Sequence, residues 1–148
     1  MIRIFDNVLK TSESDKLLSL CVSEDFPWLL NKELIQFPDY QQYEHYQLYH
    51  NLYDASFDKK IRSLYYPTFA PLIQSFTSVS KTTARLYRSK LNLLHNHYLS
   101  ETGSNPVHVD NREPHISMLY YINDSDGDTV FYDNDKEVQR VQPVKNRL

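Results

Sequence analysis

The spacing of apolar and polar positions shifts along this chain from mainly helical stretches to mainly alternating ones. Residues 2–8 suit a short strand. Thr11 and Ser12 come next as N-cap candidates, with acidic residues in the first turn, where carboxylates favour the helix dipole. Leu17, Leu18, Leu20 and Cys21 then predict the apolar face of a helix ending near Glu24. Residues 26–37 are mixed, with a strand expected after Pro27. In the tract 40–50 tyrosine recurs at every third position, which fits a helical stripe. Its aromatic content and lack of caps favour an extended segment instead. Ser56 or Asp58 is expected to cap a helix reaching about Val79, kinked or broken at Pro67 and Pro71.

The second part reads as strands. Residues 83–92 alternate, and the polar loop 100–106 delivers the chain to His108. Residues 116–123 form an apolar, aromatic run that predicts a buried strand. Ser117, Leu119 and Tyr121 are expected to face inward, and Met118, Tyr120 and Ile122 to pack outward under helices. A polar turn at 124–128 leads to a strand at 129–132 and a further strand at 138–142, closed by Pro143. Helices first and strands afterwards predict an α+β domain. No repeat, low-complexity run or linker marks a boundary, so residues 1–148 are expected to form a single domain.

Composition narrows the function classes. The net charge is −3 and no basic run occurs, which argues against a sequence-independent grip on nucleic acid. No apolar stretch approaches the length of a membrane span, and the early charge at Arg3 and Asp6 does not suit a secretory signal. The one cysteine, Cys21, cannot form an internal disulfide, so a reducing, cytoplasmic setting is expected, with Cys21 as a small core residue. There are two glycines, Gly103 and Gly127, so left-handed turn positions must fall largely to Asn and Asp. The 12 tyrosines and 7 phenylalanines suit strands and apolar faces with polar rims.

The candidate chemistry centres on His108-Val109-Asp110-Asn111. On an extended strand, side chains two residues apart project to the same side, so His108 and Asp110 can offer two ligands to one metal ion. Two His and one carboxylate with open positions is the donor set of non-haem Fe(II) oxygen chemistry. With 6 His and 19 acidic residues, about 0.8 such pairs are expected by chance, so the pair alone is weak and its downstream neighbours carry the weight.

Downstream of the pair the chain reads "MLYYIND", then "DGDTVFYDND", then "VQRVQPVKNRL". Together with "HVDN" and the opening "IRIFDNVLKTSESDKLLSL", these residues resemble the Fe(II)/2-oxoglutarate-dependent dioxygenases of the prolyl-hydroxylase-like branch. The resemblance covers most of the chain and is strongest over residues 84–148. Two positions depart from the family pattern: Asp128 replaces the second hairpin glycine, and Asn146 stands where the family has the Gly of Lys-x-Gly-Arg.

The resemblance implies a double-stranded β-helix, or jelly roll, with N-terminal supporting helices and a ligand site at its open mouth. It implies His108 and Asp110 as iron ligands, and Tyr121 and also Tyr98, ten residues before His108, as residues lining the 2-oxoglutarate cosubstrate. In such enzymes 2-oxoglutarate is converted to succinate and carbon dioxide, and the oxidant produced attacks a C–H bond of the substrate; the protein supplies placement and exclusion of water. The family's distal His and the basic partner of the far carboxylate would fall past Leu148. The expectation is therefore a C-terminally incomplete oxygenase domain with its last strands missing, impaired in this form and prone to self-association through unpaired strand edges. His95 and His97 read as exposed or packed histidines, and His115 as a local stand-in ligand. The substrate, a small molecule or a protein side chain, is not specified by the fold. The alternatives are an inactive oxygenase-like remnant serving as an interaction module, and a β-sandwich binding domain in which His-x-Asp is accidental.

Overall fold

The structure, a computed structural model, describes residues 1–31, 47–81, 83–94, 107–111 and 113–148. It is α+β, with antiparallel strands in two small sheets. The chain divides into two compact units, each assembled from separated segments: Met1–Phe26, Pro67–Arg85 and Glu113–Leu148 in the first, Pro27–Tyr66 and Leu86–Arg112 in the second.

In unit 1, helix α1 (Thr11–Cys21) forms where the apolar spacing predicts it. Leu17 and Cys21 are buried together with Ser14, all on one stripe. The cap is Lys10, one residue before the expected Thr11. A lysine side chain has no acceptor, and the first turn is instead fastened by Glu13, whose carboxylate accepts the Lys10 N–H at 3.2 Å. Helix α2 (Tyr66–Ser80) buries Phe69 and Leu72. It starts well after Ser56, because Ser56 is taken up in a turn: its N–H and hydroxyl donate to Asp54 Oδ1 at 2.9 and 2.6 Å. Pro67 is tolerated in the first turn, where no intrahelical partner exists, and α2 continues through Pro71 at the loss of one backbone bond.

Three strands of unit 2 form one sheet in the order β1 (Leu29–Asn31), β2 (Gln47–Asp54), β3 (Arg88–Leu93). In unit 1, β4 (Thr129–Asp133) and β5 (Lys136–Val141) form a hairpin. Its two-residue turn, Asn134-Asp135, has φ of 48° and 61°, the left-handed geometry of a type I′ turn that matches strand twist. Among the described residues, positive φ outside glycine falls at Asn7, Asn134, Asp135 and Asn146, all Asn or Asp as the shortage of glycine leads one to expect, and at Lys81.

Residues 116–123 differ from expectation. They form no regular strand, and Tyr121 makes an isolated bridge with Arg147. A strand needs a partner along its length, and here the β-bridge is at Tyr121, made by Tyr121 N–H to Arg147 O and Asn146 N–H to Tyr121 O, both 2.9 Å. Ser117 and Leu119, expected inward, are exposed, whereas Met118, Tyr120 and Ile122 are half-buried. Tyr120 does reach α1: its hydroxyl lies 3.2 Å from Ser14 Oγ and 3.1 Å from Asn146 Oδ1.

Asn146 closes unit 1. It is buried, with φ of 66°. Its Oδ1 accepts the Leu9 N–H at 2.9 Å and its Nδ2 donates to the Leu9 carbonyl at 2.8 Å. Val8 N–H donates to its carbonyl, and Phe5 and Leu148 exchange two backbone hydrogen bonds of 2.9 Å. The segment 2–8 is thus strand-like in pairing, though it is not a regular strand. Asp6 and Arg147 add a two-pronged ion pair, at 2.7 and 3.2 Å.

Candidate functional site

The register of the unit 2 sheet sorts its side chains into two unlike faces. Leu30 opposes Leu48, Leu48 opposes Leu93 and His50 opposes Leu91, giving an apolar face. On the other face Leu29 and Asn92 oppose Tyr49 from either side, Asn31 opposes Gln47 and Asn51 opposes Lys90, a mainly polar row with one exposed leucine at its edge. A β-bulge at Leu52 then changes the parity, so that Asp54 comes opposite Arg88 and joins the polar row. Leu52 itself is 1% exposed. The bulge therefore keeps a leucine in the core while it turns Asp54 onto the face that already carries Arg88 and Lys90.

His50 sits on the apolar face and is fully employed there. Its Nδ1 lies 2.8 Å from the Pro27 carbonyl and its Nε2 2.7 Å from Ser63 Oγ. A carbonyl can only accept, so Nδ1 carries a proton and, in the neutral ring, Nε2 accepts from Ser63. Ser63 Oγ also accepts the Tyr65 N–H at 3.0 Å. His50 ties the start of β1 to the approach of α2, which is a structural task. Its place between Leu48 and Leu52 is the one local signal that marks this histidine as a core residue.

His108 and Asp110 also belong to unit 2. The segment around them is irregular, with a bend at Asp110, yet the pair is brought together: His108 Nε2 lies 3.9 Å from Asp110 Oδ1. Both side chains are about half exposed, at 50% and 51%. Lys90 is within reach of Asp110's charge. Its pKa is lowered first by loss of hydration and then by Arg88, with Asp110 opposing the shift. Lys90 is exposed as a whole residue, so the lost hydration is that of an ammonium crowded by neighbours and not of a buried side chain. At the end of the row, Asp54 is held below the usual carboxylate range by the Ser56 hydrogen bonds and, more weakly, by Arg88 and Arg62.

The remaining sequence candidates are not in the described part of unit 2. Tyr121 is in unit 1, where its hydroxyl donates to Thr129 Oγ1 at 2.6 Å. His115 is in unit 1 as well, its Nδ1 donating to the Glu113 carbonyl at 2.7 Å. Tyr98, His95 and His97 lie outside the described residues. Among the described residues there is no group of three or more His, Cys, Asp or Glu able to hold a metal ion. Also among them, no helix is long and apolar enough to cross a membrane. A shallow cleft of about 110 Å³ in unit 1, lined by Leu9, Leu17 and Leu72 with Glu13 and Lys16, brings no ligating set together.

Lys90 is the site residue that sequence reasoning misses. Nothing in its local pattern distinguishes it from a solvated strand lysine, and its place opposite Asn51 depends on a register that no short-range signal fixes. Comparison with protein-family models, with curated proteins and with solved structures gave no match to this chain.

Proposed function

We propose that this chain is an Fe(II)- and 2-oxoglutarate-dependent oxygenase domain of the prolyl-hydroxylase-like kind, its strands part of a double-stranded β-helix, with His108 and Asp110 as metal ligands. The observation that carries this reading is the approach of His108 Nε2 to within 3.9 Å of Asp110 Oδ1 on a half-exposed surface beside a polar sheet face. The donor set suits iron: one imidazole nitrogen and one carboxylate oxygen are both ligands of a borderline ion. Metal–ligand bonds of about 2.0–2.2 Å at a right angle place two donors about 3 Å apart, so a closure of roughly 1 Å is required. Side chains this exposed can make that movement by small rotamer adjustments.

When bound, iron and 2-oxoglutarate supply the oxidation itself. The chain's own part is placement. His108 and Asp110 fix the position of the reacting centre, and Asp110 brings one negative charge that favours a cation there. A row of amides and Tyr49 offers hydrogen bonds without adding net charge. The substrate is a small molecule or a protein side chain.

A second reading is an oxygenase-like module that binds without turnover, favoured by the two-donor pair, which no third ligand joins among the described residues. The test is retention of Mn(II), a redox-quiet stand-in for Fe(II), measured by equilibrium dialysis. The wild type is expected to retain about one ion per chain, and Asp110→Ala to lose it with an unchanged circular dichroism spectrum. Equal retention by the two proteins, or none by either, overturns the metal assignment. Retention in the wild type with no succinate formed supports the second reading.

A further inference from the structure

Where the chain leaves β2, residues 56–62 are exposed without a break. The loop is nevertheless held at its base. Asp54 N–H donates to the Lys60 carbonyl and Arg62 N–H to the Leu52 carbonyl, both at 2.9 Å, and Ala55 N–H donates to the Tyr87 carbonyl at 2.8 Å. Tyr53 and Ile61 form a β-bridge, and the Arg62 guanidinium lies 4.3 Å from the centre of the Phe57 ring. Just beyond, the bond between Ser63 and His50 ties the next turn to β2. On this fixed backbone Phe57 is 49% exposed, Ile61 47% and Leu64 97%. One exposed leucine is ordinary, but three large apolar side chains within eight residues form a patch. Lys59, Lys60 and Arg62 stand among them, and against Asp58 they give residues 56–64 a net charge of +2. The whole chain carries −3, so the remaining residues carry −5. The apolar patch and the local excess of positive charge thus coincide.

We propose that residues 56–64 dock unit 2 onto an anionic lipid surface, with Phe57, Ile61 and Leu64 entering the headgroup boundary and Lys59, Lys60 and Arg62 meeting acidic headgroups. Charge selects a negative partner, and the apolar side chains select one with an oily layer beneath its charges. A peptide needs a groove or an open ladder, whereas this loop is a protruding run whose base is already hydrogen-bonded within the chain. A single-stranded nucleic acid needs free aromatic faces for its bases, and the Phe57 ring already carries Arg62. The contact is peripheral and calls for no helix across the bilayer. It is independent of the metal reading above.

The experiment is co-sedimentation of the full chain with vesicles of phosphatidylcholine alone, or with about one third phosphatidylserine. Wild type is expected to sediment with the anionic vesicles and to stay in solution with the neutral ones. Leu64→Ser, at a side chain exposed enough to leave the fold alone, should bind the anionic vesicles roughly tenfold more weakly, the lower end for burying one leucine. Lys59→Gln and Lys60→Gln together should cost roughly thirtyfold, about fivefold for each lysine. Lys136→Gln, an exposed lysine of the unit 1 hairpin, should change binding less than about twofold, which separates the local patch from total charge. At about 0.5 M salt wild type should lose most of its binding, because surface charge is then screened within a few ångströms. Equal binding to neutral and anionic vesicles, or to neither, overturns the proposal. So does Leu64→Ser binding as tightly as wild type, which would leave a charge contact without insertion. Release of the protein from vesicles by polyglutamate or by oligothymidylate at matched charge would likewise overturn a lipid surface as the occupant.

Discussion

Replacing Asn146 gives the sharpest test of how unit 1 is held together. This side chain makes two reciprocal bonds with the Leu9 backbone, at 2.9 and 2.8 Å, and accepts a third from the Tyr120 hydroxyl at 3.1 Å. Asn146→Gly keeps a backbone at ease with φ of 66° and deletes all three. Each buried bond contributes about 1 kcal/mol net, and a stranded backbone group at Leu9 costs about 1–3 kcal/mol. Water entering the vacated space offsets part of this, so the expected loss is about 2–4 kcal/mol. Asn146→Ala deletes the same bonds and adds a left-handed Cβ, so it should fall about a further 1 kcal/mol below the glycine variant. Urea unfolding monitored by far-ultraviolet circular dichroism is the assay, since α1 and most of α2 lie in unit 1. The order wild type, Gly, Ala separates bond loss from backbone strain. A glycine variant within about 0.5 kcal/mol of wild type, or an alanine variant at least as stable as glycine, would refute the account, because ordinary surface changes fall inside that margin.

Other outcomes are tied to single groups. Burial pushes the Cys21 thiol up to about 11, so the fold favours the neutral thiol. Its contribution is complete below the ordinary thiol range and is lost as pH rises towards 11; at pH about 8 native protein should react with a thiol reagent far more slowly than protein in urea. The Arg147 guanidinium holds the Asp6 carboxyl below its usual value, so this pair stabilises above the ordinary carboxylate pKa and its help is lost as pH falls through the lowered one. Asp6→Asn should accordingly flatten the acid limb of a stability–pH curve, and an unchanged limb would show the pair to be idle. Ser63→Ala removes the hydroxyl shared by His50 and Tyr65 and should cost about 1–2 kcal/mol, read from chemical denaturation with Trp28 fluorescence as the unit 2 signal.

Local chemistry is legible in this sequence, and pairing at a distance is not. The α1 stripe through Leu17 and Cys21 comes from spacing alone, as do the β4 and β5 strands and the use of Asn and Asp at left-handed turns. Ser56 misleads as a helix cap because Asp54 offers it an acceptor two residues away, and a short-range turn competes directly with a helix start. Residues 116–123 have strand composition, but strand formation depends on a neighbour that supplies a ladder, which composition does not encode. In the site, the i, i+2 spacing of His108 and Asp110 is enough to expect their approach. The polar face beside them arises from the pairing of two segments about 40 residues apart and from the Leu52 bulge, features that no local window contains. Nor does any window show that two compact units are each drawn from several stretches of chain.

The Leu9–Asn146 clasp spans 137 residues, and it has a meaning for the order in which the chain is made. At ribosomal speeds of about 5–20 residues per second, α1 emerges many seconds before the partner that fastens it. Unit 2 has all of its segments by Arg112, while unit 1 waits for Asn146 and its neighbours. During that interval the Leu17 and Cys21 stripe has no closing clasp and depends on chaperones or on transient contacts for shelter. Vectorial synthesis thus makes unit 1 the vulnerable half of the newborn chain, and a nascent chain stalled just short of Asn146 should be cut by protease within α1 while unit 2 resists.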